Sequence, residues 1–145
     1  MPVDKKIVIR KITLIQDDLL KLKEIGKMKM SEFVKSDFQD VLAERYLERI
    51  IGRMIDINYH ILTESGNPSP LDYYHSFTDL GKANIITDGS AKKMAQFAGL
   101  RNVLAHEYDF IDKKKVWQGM KSLLKLLPLY LSGIGEFLKG KANRS

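Results

Sequence analysis

Four side chains suited to chemistry fall in one short stretch, Arg101-Asn102-Val103-Leu104-Ala105-His106-Glu107-Tyr108. A neutral imidazole such as His106 has a pKa near working pH, so it can take a proton from a ribose 2′-hydroxyl. A guanidinium such as Arg101 is always charged and fork-shaped, so it can hold a phosphate and the charge that builds on it. The pair suits phosphodiester chemistry and needs no metal ion. Asn102 and His106 are four apart and share a helix face. Arg101 and Tyr108 are seven apart and would share one if the helix continued. Arg101 and His106 are five apart, about 140° round a regular helix. They converge only if the helix unwinds near Ala105 or if a second copy of the chain supplies the partner group. An arginine and a histidine at a helix end also do plain structural work, and the residues alone leave both roles open.

The elements that must position this stretch are helical. Val8, Ile12, Ile15, Leu19 and Leu22 are spaced 4-3-4-3, which predicts an amphipathic helix over about 4–25 with Gly26 as its stop. Residues 27–36 read as a connector, and Ser36-Asp37 as a cap. A long helix is expected over 37–63, with Leu47, Ile50, Ile51, Met54, Ile57, Ile61 and Leu62 inward. It ends before Ser65-Gly66-Asn67-Pro68-Ser69-Pro70, the densest turn signal of the chain. A shorter helix follows over about 71–81. Thr87-Asp88-Gly89-Ser90 then caps one running to about Ala105, with Met94, Phe97, Leu100 and Leu104 inward. The last spans about 112–139, and Pro128 should kink or divide it. No segment alternates with period two. The expected fold is all-α, an antiparallel bundle of about five helices forming a single domain over residues 1–145.

Composition narrows the function. The chain has no cysteine, which excludes disulfides, thiol catalysis and Cys-based zinc sites and fits a reducing cytoplasm. His60, His75 and His106 make no metal-ligand spacing, so no metal and no cofactor is expected. No apolar run is long enough to span a membrane, and residues 1–10 have no signal-peptide layout. The net charge of +6 favours a polyanionic partner, although much of it lies in lysine clusters that read as solvated, such as Lys113 to Lys115.

The stretch RNVLAHEY resembles the R-x4-H-x-Y motif of HepT-type toxins, a branch of the HEPN superfamily. The likeness extends to ERYLERIIGRMIDINYHIL at 44–62, with Asp56 in an I-D-x-x-x-H pattern, and to FTDLGKANII and MAQFAGLRNVLAHEYDFID. It covers roughly residues 37–120. It implies an all-helical, HEPN-like two-fold homodimer in which the motifs of both protomers meet in one cleft. It implies a metal-independent RNase toxin of a type II system, paired with a nucleotidyltransferase antitoxin of the MNT type. Carried over by position, Arg101 and His106 are the catalytic pair and Asn102 supports them. Tyr108 is the tyrosine that the antitoxin adenylylates, adding charge and bulk that block RNA. A non-catalytic HEPN subunit, binding nucleotide or positioning substrate for a nucleotidyltransferase, keeps the same residues and is the alternative. A generic bundle with a chance motif is the third.

The second helix also carries a polar stripe, with Arg45, Arg49, Gly52, Arg53, Asp56 and His60 on one side. It is either a solvated face with internal ion pairs to Glu44 and Glu48 or the wall of the cleft. In the second case Arg49 and Arg53 contact RNA phosphates and Asp56 orients Arg101 or His106. Gly52 in mid-helix costs about 1 kcal/mol against Ala, which a close dimer contact would explain. His75 reads as a packed or solvated histidine rather than a ligand, Trp117 as core, and Tyr46 and Tyr59 as core or interface.

Overall fold

The computed structural model describes residues 3–106 and 111–140, and every regular element in them is an α-helix. The order is α1 (Lys5–Ile25), α2 (Met30–Val34), α3 (Gln39–Glu64), α4 (Tyr73–Lys82), α5 (Asp88–Met94), α6 (Gln96–Ala105) and α7 (Lys113–Leu138). Two of these are short. The connector expected at 27–36 contains the single turn α2, which buries Phe33. The helix expected up to Ala105 is interrupted at Ala95, separating α5 from α6. The break is slight: Ala95 keeps helical dihedrals, and the Ala98 amide bonds to the Ala95 carbonyl three residues back, one turn wound tighter than α. Pro128 does not divide α7. One lost backbone bond is outweighed by the stripe Leu123, Leu127, Tyr130 and Ile134, which stays buried on both sides of the proline.

Caps set the ends. Asp4, Asp72, Thr87 and Asp112 each accept from backbone amides of the turn they start. Ser36 Oγ accepts from the Asp40 amide at 3.2 Å, so it serves the start of α3 from two residues before Phe38, which holds the cap position. At the end of α3, Gly66 takes φ +87°, and the Asn67 amide reaches back to the Leu62 carbonyl at 2.9 Å. That reversal needs the left-handed region, where a Cβ is penalised.

α3 is the central element. All seven of its predicted inward residues are buried. α1 packs along one flank, α4 and α6 along another, and α7 closes the core. Gly81 lets α4 meet α5, since a Cβ there would lie 2.8 Å from the Ala91 Cβ. Lys113 is exposed, as expected of a solvated helix start, and it also bonds the buried Asp40 carboxylate at 2.8 Å, tying α7 to the start of α3. Trp117 is half-buried, and its Nε1 donates to the Met28 carbonyl at 3.0 Å. No described helix is long and apolar enough to cross a membrane.

Candidate active site

Helix α6 ends at Ala105. His106 is its C-cap at φ −90°, ψ 2°, with its amide bonded to the Asn102 carbonyl at 3.2 Å. The helical course stops at Ala105, the point near which convergence of Arg101 and His106 within one chain would need the helix to unwind. His106 is exposed, while Arg101 lies half-buried in the last full turn. Tyr108, the expected modification site, lies outside the described residues.

Arg101 faces α3. It lines a shallow depression of about 230 Å³ with Glu48, Arg49, Gly52, Arg53 and Asp56, so the polar stripe and the motif arginine form one surface. The stripe is anchored by a residue that the sequence reading passed over. Asp18 of α1 is 1% exposed; its Oδ2 accepts a hydrogen bond from Arg53 Nη1 at 2.8 Å and forms an ion pair with Arg49 Nε at 3.1 Å. One carboxylate oxygen therefore fixes two guanidiniums and neutralises one of their two charges. The signal was in the sequence: Asp18 is three residues after Ile15 and four before Leu22, inside the apolar stripe of α1. Asp56 was expected to orient Arg101 or His106. It shares the depression with Arg101, and its carboxylate pairs with Lys11 of α1 at 3.4 Å. Arg45 pairs with Glu48 at 3.7 Å, the internal pairing expected of a solvated face.

On its other side, Arg101 stacks. Its Cζ lies 5.4 Å from the centroid of the Tyr73 ring, and its Nε is buried without a hydrogen-bond partner among the described residues. Tyr73 meets Tyr59 edge-on, with centroids 6.3 Å apart. These two rings, with Leu71, Asp72, Tyr74, Ala98, Gly99 and Asn102, line a second groove of about 510 Å³. Asn102 thus stands among the tyrosines, on the opposite side of Arg101 from the arginines. Burial pushes the Tyr59 hydroxyl pKa up, as do the nearby Tyr73, Asp72 and Asp79, so it keeps its proton at neutral pH. Asp72 is held low by hydrogen bonds from the His75 amide and imidazole, the latter at 2.7 Å, which places His75 in the cap of α4.

Gly52 and Gly99 lie in these two depressions. An added Cβ at either meets nothing within 4 Å. Gly52 was expected to mark a close helix approach; among the described residues there is none.

The likeness to known proteins follows the same lines. Residues 15–134 match the family described as Ribonuclease HepT-like. The chain is 34% identical over 136 residues to the tRNA nuclease HepT of Aphanizomenon flos-aquae, an alignment spanning 94% of this chain and 92% of that protein. A toxin–antitoxin crystal structure with AMP-PNP has a TM-score of 0.80 at 23% identity, over 90% of this chain and 98% of the other. The tri-AMPylated HEPN toxin of Shewanella oneidensis, in complex with an MNT antitoxin, has a TM-score of 0.78 at 24% identity, over 89% and 96%. YutE, a cytosolic protein of Bacillus subtilis, has a TM-score of 0.83 at 14% identity, over 96% and 93%. The fold is therefore that of the HEPN class. Within it, the chain belongs to the HepT-like ribonuclease family and is an endoribonuclease by class.

Proposed function

We propose that this chain is the toxin of a toxin–antitoxin pair, a cytoplasmic ribonuclease that cuts RNA with Arg101 and His106 and without a metal ion. His106 takes the proton from a 2′-hydroxyl, and the 2′-oxygen attacks the adjacent phosphorus. The bond to the 5′-oxygen breaks and that oxygen takes a proton from water, leaving a 2′,3′-cyclic phosphate and a 5′-hydroxyl end, while the imidazolium returns its proton to solvent. Arg101 holds the phosphate and the charge that builds on it. Arg49 and Arg53 contact flanking phosphates, and Asp56 and Asn102 support the site. The name of the Aphanizomenon relative favours a tRNA as substrate.

The observation that carries this reading is the helix end. α6 releases His106 from the helical course one residue after Ala105, while Arg101 remains against the arginines of α3. The open space over Gly52 suits a second copy of the chain or a nucleic-acid backbone at this face, and the site works as a homodimer across it. Control comes from an MNT-type nucleotidyltransferase that attaches AMP to Tyr108, two residues beyond His106. The added phosphate charge repels RNA. The Shewanella toxin, AMPylated and bound to such a partner, supports this assignment.

The test is cleavage of tRNA by folded, unmodified protein in the presence of EDTA, with end-group analysis of the products. Cleavage giving cyclic-phosphate ends, lost in His106→Ala, is the expected result. Intact RNA with the wild-type protein sinks the proposal and leaves the non-catalytic partner of a nucleotidyltransferase in its place.

A further inference from the structure

The tyrosine groove beside Arg101 is not used by proton transfer or phosphate binding, yet it adjoins both. We infer that it is a nucleobase subsite: a base next to the scissile phosphate leaves the stack and lies against the tyrosines while its phosphate sits on the arginine side. The inference rests on the ribonuclease reading and adds the form of the substrate, a single-stranded or unstacked nucleotide.

Geometry comes first. Tyr73 and Arg101 form the wall between the two depressions, with the guanidinium on the tyrosine ring at 5.4 Å. A nucleotide straddling that wall has its phosphate and its base on opposite sides. The groove, about 510 Å³, is of the size of small-ligand clefts, which run to about 300–1,000 Å³.

Its lining suits a base. Aromatic faces bind bases by stacking, whatever the sequence. Tyr74 is 48% exposed and Leu71 87%, large apolar surface that no described residue covers. The Asn102 amide, exposed at the rim, offers a donor and an acceptor to a base edge, and the protonated Tyr59 hydroxyl offers a donor.

Gly99 leaves the floor open. A glycine inside a helix costs about 1 kcal/mol against alanine, and packing among the described residues does not require it, since an added Cβ has none of them within 4 Å. A ligand approaching the backbone of α6 does require it. The phosphate-contacting residues on the other side of Arg101 favour a nucleotide over a peptide as the occupant.

The experiment uses His106→Ala protein, so that binding is read without cleavage. A short single-stranded RNA spanning the cleaved bond is replaced one nucleotide at a time by abasic ribose, and the Kd of each is measured. One position should lose about fivefold or more, the scale of a single base stack. In the Tyr74→Ala and Gly99→Leu backgrounds that position should become silent, because the stacking face is gone or the groove is filled. Gly99→Leu projects into open space and raises helix propensity, so it keeps the test valid should Tyr74→Ala fold poorly. The inference is overturned if no position responds to loss of its base, or if the sensitive position stays sensitive in both backgrounds. It is also overturned if the variants bind RNA normally but lose self-association or nucleotidyltransferase binding, which makes the groove a protein-docking face. Base-sensitive binding by a wild-type protein that cuts no RNA keeps the subsite and removes the ribonuclease reading instead.

Discussion

The two sides of α3 treat polar atoms differently. On the inner side, Tyr130 Oη lies 2.6 Å from Asn58 Oδ1 and 3.0 Å from the Met54 carbonyl. Asn58 Nδ2 donates to Ser76 Oγ at 3.3 Å, and Ser76 Oγ donates to the Tyr73 carbonyl at 2.7 Å. Tyr130, Asn58 and Ser76 are all fully buried. On the outer side, Arg49 and Arg53 share one carboxylate oxygen, and Arg101 Nε and His60 Nε2 are buried without partners among the described residues. A satisfied buried network makes one structure unique, whereas an unsatisfied one leaves capacity for a ligand. The two sides are joined: the inner network ends on the backbone of Tyr73, whose ring supports Arg101.

The largest effect tests the outer side. His106→Ala should lower RNA cleavage by about a hundredfold or more, the usual worth of a general base, at a temperature where both proteins remain fully folded. Activity lost only where the variant unfolds would turn the contrast between the two sides into a single structural effect. The inner side should respond in the opposite way. Asn58→Ala removes one of the two partners of the Tyr130 hydroxyl and of Ser76 Oγ, leaving the Met54 and Tyr73 carbonyls, and should destabilise by about 1 kcal/mol, read by denaturant unfolding. Cleavage at low temperature should fall only modestly, through slackening of Tyr73 beneath Arg101. Burial holds the Tyr130 pKa well above its ordinary value, so the hydroxyl stays a donor and this network should be insensitive to pH across the neutral range.

Asp18 lies between the two regimes, buried like the inner network yet serving the outer arginines. Removing its charge gives opposite signs in the two readings of the stripe. If Asp18 only neutralises, Asp18→Asn raises the local positive potential and tightens RNA binding. If it positions Arg49 and Arg53, the guanidiniums are released and the KM for RNA rises severalfold with little change in kcat. We expect the rise. It should vanish in an Arg49→Gln, Arg53→Gln background.

Much of the scaffold was legible because it obeys a single period. The apolar stripes of α1, α3 and α6 place their residues inward as spacing requires, and Ser65 to Pro70 supplies the turn. The polar partners were less legible, since Asp18, Asp40 and Asn58 meet theirs across 35, 73 and 18 residues of chain (Arg53, Lys113 and Ser76). Periodicity shows such a residue to be buried, as with Asp18 in the α1 stripe, but it does not name what waits opposite. The same limit hid the tyrosine groove, which takes Tyr59 from α3, Tyr73 and Tyr74 from α4, and Gly99 and Asn102 from α6. The Arg101–His106 spacing was the exception, because an angle round one helix needs no distant partner.

Acid should separate a third pair, far from both sides of the contrast. Burial alone raises the Asp40 pKa, but the Lys113 ammonium and the Val41 and Asp40 amides outweigh it, so the carboxyl is held below its ordinary value. An acid whose pKa is lowered on folding contributes stability that is full above its unfolded value, about 4, and is lost as pH falls through the lowered one. Asp40→Asn should therefore be less stable than the wild type at pH 7 and approach it in acid. Glu44 works against this slope, pushed up by burial and then by the Asp40 charge. The comparison with Asp40→Asn, not the raw curve, is the measurement. A gap that stays constant down to strong acid would remove the ion pair from the account of how α7 is held to α3.

The smallest change is the sharpest probe of the outer surface. Gly52→Ala adds one methyl where no described residue lies within 4 Å, so the folded chain should gain helix propensity and about 0.5–1 kcal/mol of stability. If the depression around Gly52 takes a phosphate or a second copy of the chain, the methyl intrudes there, and cleavage or self-association should weaken even as the melting temperature rises. Stability and function would then move in opposite directions from a single carbon atom, which only a surface left open for a partner can produce. Stability gained with cleavage and self-association both intact would make the stripe an ordinary solvated face. Arg49 and Arg53 would then be partners of Asp18 in holding α1 to α3, and no more.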